Sequence, residues 1–126
     1  MPDSSYEIHG IPVFECATEG AQPRSDRDAT DLISAAWSHK AKAMVIPVER
    51  LSEDFFRLKT RIAGEFLQKF ATYGMRIAIM GDISRQVGDS EALRDFVYEC
   101  NRGPNIWFVA NGDELTIRLT LVNSPA

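Results

Sequence analysis

Three short stretches of this chain concentrate side chains able to do chemistry: "VERLS" (48–52), "GDISRQVGDS" (81–90) and "NGDE" (111–114). They bring Glu49, Arg50, Asp82, Ser84, Arg85, Asp89, Asp113 and Glu114, a mixture of carboxylates, guanidiniums and a hydroxyl that suits a magnesium ion or an anion. The same residue types are the usual helix caps and turn formers, so capping competes with ligation at every one of them. Other chemistries lack their parts. "GDISRQVGDS" has neither the glycine spacing nor the lysine of a phosphate loop, and no G-x-S-x-G elbow occurs. Cys16 and Cys100 lie far apart, and His9 and His39 join neither in a close group, so two buried reduced thiols are expected and no structural zinc. No cofactor or metal is assigned, and whether the chain is an enzyme stays open, because one sequence does not show which carboxylates approach each other.

The elements that would position these stretches are legible from periodicity. "YEIHGIPVFEC" makes an opening pair of strands around His9 and Gly10. Ser25 with Asp28 resembles a capping pair, and Ala29, Leu32, Ile33, Ala36 and Trp37 follow at helical spacing. "KAMVIPV", "MRIAIMGD" and "NIWFVAN" are apolar runs suited to strands buried on both faces. Ser52 caps a second helix that runs to about Tyr73, with Gly74 as its stop. "DSEALRDFVYECNRGP" is a third helix, with Leu93, Phe96, Val97 and Cys100 on one stripe. The tail "GDELTIRLTLV" is ambiguous: Leu115, Ile117, Leu119 and Leu121 alternate as in a strand, while Asn111 to Glu114 resemble a helix start. The expected fold is a single α/β domain over 1–126: a mixed, largely parallel sheet with flanking helices in the order ββαβαβαβ. In such sheets ligands favour the carboxyl ends of the strands, where the three stretches fall.

The bulk composition agrees. A chain of 126 residues, 44% hydrophobic and 25% charged, is long enough for one core and too short for two ordinary domains. A net charge of −4 argues against a general nucleic-acid partner, since few counterions would be released from phosphates. No apolar run approaches the length of a membrane span, and "MPDSSYEIHG" lacks the pattern of an export signal, so a cytoplasmic protein without membrane contact is expected.

Within the second helix, "LKTRIAGEFLQKF" carries Gly64 where a helix interior would lose on the order of 1 kcal/mol relative to alanine. On a helical wheel, Phe55, Leu58, Ile62, Phe66, Phe70 and Tyr73 form the core stripe, widened by Phe56, Ala63 and Leu67. Arg57, Arg61, Gln68 and Gly64 lie opposite, with Thr60 one turn from Gly64. Two explanations stand side by side: the glycine relieves crowding within the chain, or it admits a partner backbone or a second subunit.

At "IPVERLSEDFFRLKTRIAGEFLQKFATYGMRIAIMGD" and "FVYECNRGPNIWFV" the chain resembles a bacterial family of stand-alone proteins known only as a domain of unknown function. The pattern carried is Phe55, Phe56, Leu58, Thr60, Ala63, Gly64, Glu65, Gln68, Lys69, Phe70, Tyr73, Arg76, Ala78, Ile79, Gly81, Asp82, Glu99, Asn101 and Gly103. Arg61 stands where many members have a second glycine. The resemblance implies no activity, substrate or cofactor. It does imply that the polar positions Thr60, Glu65, Gln68, Lys69, Asp82, Glu99 and Asn101 are better candidates than the loop acids, against the alternative that they satisfy one another at the edge of the core. The order of elements also looks like that of the STAS fold. In that fold a phosphorylatable Ser or Thr opens the helix after the third strand. Ser52 is the nearest positional match here, without the Asp-Ser-Ser/Thr-Gly pattern.

The leading functional expectation is a non-enzymatic binding or regulatory domain that forms a homodimer through the Gly64 face or meets a protein partner there. The alternative is a small enzyme or ligand-binding protein that holds an anion or metal around Asp82, Arg85, Glu99 and Asn101.

Overall fold

Five strands pair into one sheet in their order along the chain. In a computed structural model, which describes residues 3–122, they are β1 (Ser4–Ile8), β2 (Ile11–Glu15), β3 (Ala43–Pro47), β4 (Arg76–Met80) and β5 (Ile106–Val109). β1 and β2 are antiparallel, joined through His9 and Gly10, both at positive φ, as a two-residue hairpin turn requires. The other pairings are parallel. The helices are α1 (Asp26–Ser38), α2 (Glu53–Phe56), α3 (Ile62–Tyr73), α4 (Ser84–Asp89), α5 (Glu91–Arg102) and α6 (Gly112–Val122). The mixed α/β fold with a largely parallel sheet is as the periodicity predicts.

Each crossover moves one strand onward in the same direction, so right-handed connections put α1, α3 and α5 on one face. Phe14, Met44, Ile46, Ile77, Ile79 and Phe108 point into that layer. Their neighbours Val13, Ala43, Val45, Ala78, Trp107 and Val109 point to the opposite face, where they pack with Leu115 and Leu119 of α6. The strands therefore read as continuous apolar runs because both faces are covered.

The ambiguous tail is the helix α6, capped by Asn111, whose Oδ1 accepts the Glu114 N–H at 3.0 Å. Leu115 and Leu119 are buried, whereas Ile117 and Leu121 point outward at 60% and 70% exposure. Two of the four alternating residues thus face water. Trp37 and Tyr73, both predicted on core stripes, are exposed at the ends of their helices and meet edge to face at 5.7 Å. Near its last turn a helix passes beyond the sheet it covers, so a residue in phase with the core has no core beneath it.

The single long helix expected from Ser52 to Tyr73 is broken. Ser52 caps α2, with Oγ accepting the Phe55 N–H at 3.2 Å, but α2 lasts only to Phe56. A 3-10 turn, Leu58–Thr60, follows, and Arg61 then takes a left-handed conformation (φ 65°) before α3 begins. The Thr60 hydroxyl lies 2.8 Å from both the Asp54 and Arg57 carbonyls, and its oxygen accepts the Ile62 N–H at 3.3 Å. Phe55, Phe56, Phe66, Leu67 and Phe70 stay in phase across the break and are all buried, which is why periodicity conceals it. Gly64 accordingly sits in the first turn of α3, not in a helix interior.

The left-handed Arg61 occupies a backbone conformation that glycine adopts freely and in which a Cβ costs roughly 1–2 kcal/mol. Arg61→Gly is expected to raise stability by about 0.5–1 kcal/mol, the relief of strain exceeding the added freedom of the unfolded chain. Urea denaturation of the two proteins measures it, and a loss of stability would show that the Arg61 side chain contributes more than its backbone costs.

Candidate functional site

β5 ends the sheet, and over the carboxyl ends of β4 and β5 the chain leaves a cleft of about 510 Å³. Gly81, at the end of β4, makes the first wall possible. Its φ is +146°, and a Cβ built on it would stand 2.8 Å from Val48 Cγ2. Asp82 comes next, and its Oδ1 accepts the Ser84 N–H at 2.9 Å. Hydrogen bonds from the Ser84 side chain and backbone N–H hold this exposed carboxyl below the usual aspartate range. Ile83 and Val87 extend the wall along α4, and α5 faces them with Val97 and Tyr98. Arg94 and Glu114, from α5 and α6, stand with Asp82 among the polar lining.

Asn101 also lines this cleft, but its amide is already committed. Its Oδ1 accepts the Phe108 N–H at 2.7 Å, and its Nδ2 donates to the Phe108 carbonyl at 3.3 Å. The Ile77 and Gly81 N–H groups donate to the Asn105 and Val109 carbonyls, so the backbone groups of the odd-numbered residues are turned to β4 and the backbone N–H and carbonyl of Phe108 are turned to the open edge. Asn101 therefore acts as a one-residue strand that plugs this edge. The Asn101 carbonyl accepts from Arg118 Nη1 at 2.8 Å, Arg118 lies over the Trp107 ring, and Trp107 Nε1 donates to the Gly103 carbonyl at 2.9 Å. This set ties α5, β5 and α6 together.

The remaining candidates lie elsewhere. A groove of about 390 Å³ between α3 and α5 is lined by Leu58, Arg61, Gly64, Glu65 and Phe96. On the other side of Phe96 a second hollow of about 300 Å³ is bordered by Ala71, Glu99, Cys100 and Ile106. Gly64, Glu65 and Glu99 thus share one helix–helix furrow, while Asp82 and Asn101 share the cleft. Arg85 pairs with Glu53 on the surface, and Glu99 lies 3.7 Å from Arg102. The expected grouping of Asp82, Arg85, Glu99 and Asn101 is therefore not formed, because α4 carries Arg85 toward α2 and α5 turns Glu99 to the furrow. Gln68 Nε2 reaches only Thr72, at 3.4 Å, and Lys69 makes no ion pair among the described residues. Arg50 donates to the Ala21 and Ala17 carbonyls at 2.8 and 3.0 Å, a clasp on the loop after β2.

Arg94, Tyr98 and the short helix α4 are the parts that sequence reasoning missed. Six residues after a strand carry too little periodicity to be told from a loop. The half-burial of Phe96, Val97 and Cys100 on the α5 stripe has its cause here, since cleft and furrow flank that helix. Among the described residues no three His, Cys, Asp or Glu side chains come together as a metal site, so the magnesium alternative lacks a donor set. Both thiols are free. Burial, reinforced by Asp3 and Glu15, pushes Cys16 up to about 12, and burial pushes Cys100 up to about 11, so both stay protonated at neutral pH.

Residues 8–119 match the model of a domain of unknown function, DUF4180. This chain belongs to the DUF4180 family. No curated protein and no solved structure matches it. The DUF4180 segment takes in β2 to β5, both the cleft and the furrow, and α6 as far as Leu119, the last leucine that α6 buries against the sheet. No helix among the described residues is long and apolar enough to cross a membrane.

Proposed function

We propose that this DUF4180 domain is a non-enzymatic binding module of regulatory type whose ligand occupies the cleft at Asp82. The observation that carries it is one cavity of about 510 Å³ with apolar walls and a few converging polar groups, at the strand ends where α/β sheets usually take ligands. Its chemistry favours binding over catalysis. His9 and His39 lie in the hairpin turn and at the end of α1, away from the cleft lining. A carboxyl held below its usual range is moved away from the near-neutral pKa that suits an acid–base catalyst. A screen of small metabolites by two-dimensional amide NMR tests this, using the wild type and Ala110→Trp, which fills the cleft mouth from an exposed position. Ligands that shift residues 81–84 and 97–101 in the wild type and not in the variant support the reading. Shifts confined to other regions, or none at all, refute it.

A second reading, self-association, rests on Gly64. A Cβ there would meet nothing within 4 Å, so crowding inside this chain does not account for the glycine. A second copy fits the furrow because Arg61 and Glu65 on one wall and Glu99 on the other offer opposite charges that can pair across a two-fold axis. Equilibrium sedimentation decides it: a dimer that Gly64→Leu dissociates supports the reading, and a monomer in both proteins at every concentration removes it. An order of elements like that of the STAS fold would add a regulatory analogy of topology alone.

A further inference from the structure

The charges around the cleft narrow what it binds. Resting on the cleft as a ligand site, we propose that it takes an apolar α-amino acid, or a compound with the same ammonium, carboxylate and apolar body. Three side chains charged at neutral pH, Asp82, Arg94 and Glu114, share the lining, and none forms an ion pair among the described residues. Two of them are negative and one is positive. A simple anion meets two carboxylates, a simple cation leaves Arg94 facing it, and an uncharged apolar molecule gains from neither sign. A zwitterion places its ammonium with Asp82 and Glu114 and its carboxylate with the Arg94 guanidinium, whose planar fork suits that group.

The walls supply the third requirement. Ile83, Val87, Val97 and Phe108 offer an apolar surface for the ligand's side chain, with Tyr98 at the outer end. Asp82 is already oriented by the Ser84 N–H, so little ordering of that carboxylate is lost on binding. Asn101 does not select the ligand, because both ends of its amide are held by Phe108. Charge sign and apolar fit therefore set specificity.

The test is an amide-NMR titration of the DUF4180 protein with L-phenylalanine, phenethylamine and 3-phenylpropionate, which share a ring and differ only in charge. Phenylalanine is expected to shift residues 81–84, 97–98 and 109–114 and to saturate at the lowest concentration. Phenethylamine is expected to bind about fivefold more weakly, and 3-phenylpropionate not to saturate. Asp82→Asn should weaken phenylalanine about fivefold, with Glu114→Gln as the second variant in case the Asp82 turn is disturbed. Arg94→Gln should bring phenylalanine down to the level of phenethylamine. Equal or tighter binding of 3-phenylpropionate, or unchanged binding of phenylalanine by Arg94→Gln, overturns the proposal. If none of the three shifts the cleft while other metabolites do, this ligand class is wrong and the site stands. If nothing shifts the cleft, both fall.

Discussion

Gly81→Ala is expected to destabilise the domain by about 2–5 kcal/mol, the largest effect of any single methyl group added to this chain. Two costs combine. At φ +146° the backbone lies in a region that residues with a side chain rarely adopt. The new methyl would also stand 2.8 Å from Val48 Cγ2 and 2.9 Å from Val48 Cβ, and neither atom is the far end of a flexible side chain. Val48 opens the 3-10 turn that leaves β3, so shifting it moves the start of the segment leading to α2. Val48→Ala in the same chain should recover only part of the loss, because the Val48 Cβ and the backbone strain both remain. Urea denaturation of the two single variants and the double variant measures these terms. A loss below about 1 kcal/mol for Gly81→Ala would show that the turn after β4 relaxes freely. Since Gly81 also lines the cleft, the variant should lose ligand shifts along with stability.

Asn101→Ala is expected to cost about 2–4 kcal/mol, because it leaves a backbone donor and acceptor of Phe108 unpaired at a part-buried edge. Asn101→Asp should rescue little. It keeps an acceptor for the Phe108 N–H but sets a carboxylate oxygen against the Phe108 carbonyl in place of the Nδ2 donor. Hydrogen exchange separates this mechanism from simple loss of packing: the Phe108 amide should exchange faster in Asn101→Ala, by more than the change in global stability explains, with the β3 and β4 amides following the global value. Equal acceleration throughout the sheet would refute the plug. Opening the β5 edge should also make the variant more prone to associate, since an unpaired strand edge is a template for pairing.

The two positions differ in how they can be found. Gly81 and Asn101 both fall in the pattern by which the chain resembles its family, yet only Gly81 announces a backbone role by its residue type. Asn101 reads equally well as a ligand, a cap or a plug. It becomes a plug only once the sheet order makes β5 an edge and the hydrogen bonds leave the Phe108 backbone N–H and carbonyl on the open side. Asp82 is similar: as an exposed residue after a strand it is a turn former by type, and its Oδ1 does accept the Ser84 N–H in the turn that leads into α4, but α4, α5 and α6 also build a cleft beside it.

Local physics, acting over a few residues, was sufficient for much of the rest. Apolar runs long enough for strands, the hairpin at His9 and Gly10, and the serine caps at 25 and 52 are short-range features, and each is present, as is the Ser90 side chain that accepts the Leu93 N–H at the start of α5. A buried strand needs only its own residues to be apolar, and a cap needs only the next turn of helix, so the sequence by itself determined the α/β class, the strands and the starts of α1, α2 and α5. Tertiary structure decided what depends on partners distant in the chain. It made the alternating apolar residues of the tail a helix by laying Leu115 and Leu119 on the sheet, whereas the break in the Ser52-to-Tyr73 segment is local, held by the Thr60 hydroxyl and the left-handed Arg61 and hidden by an undisturbed apolar phase. It also divided the candidate residues between cleft and furrow, because α5 presents Asn101 toward β5 and Glu99 away from it. Residues two apart on a helix point in widely different directions, and only the position of the sheet beside α5 determines which of them meets the cleft.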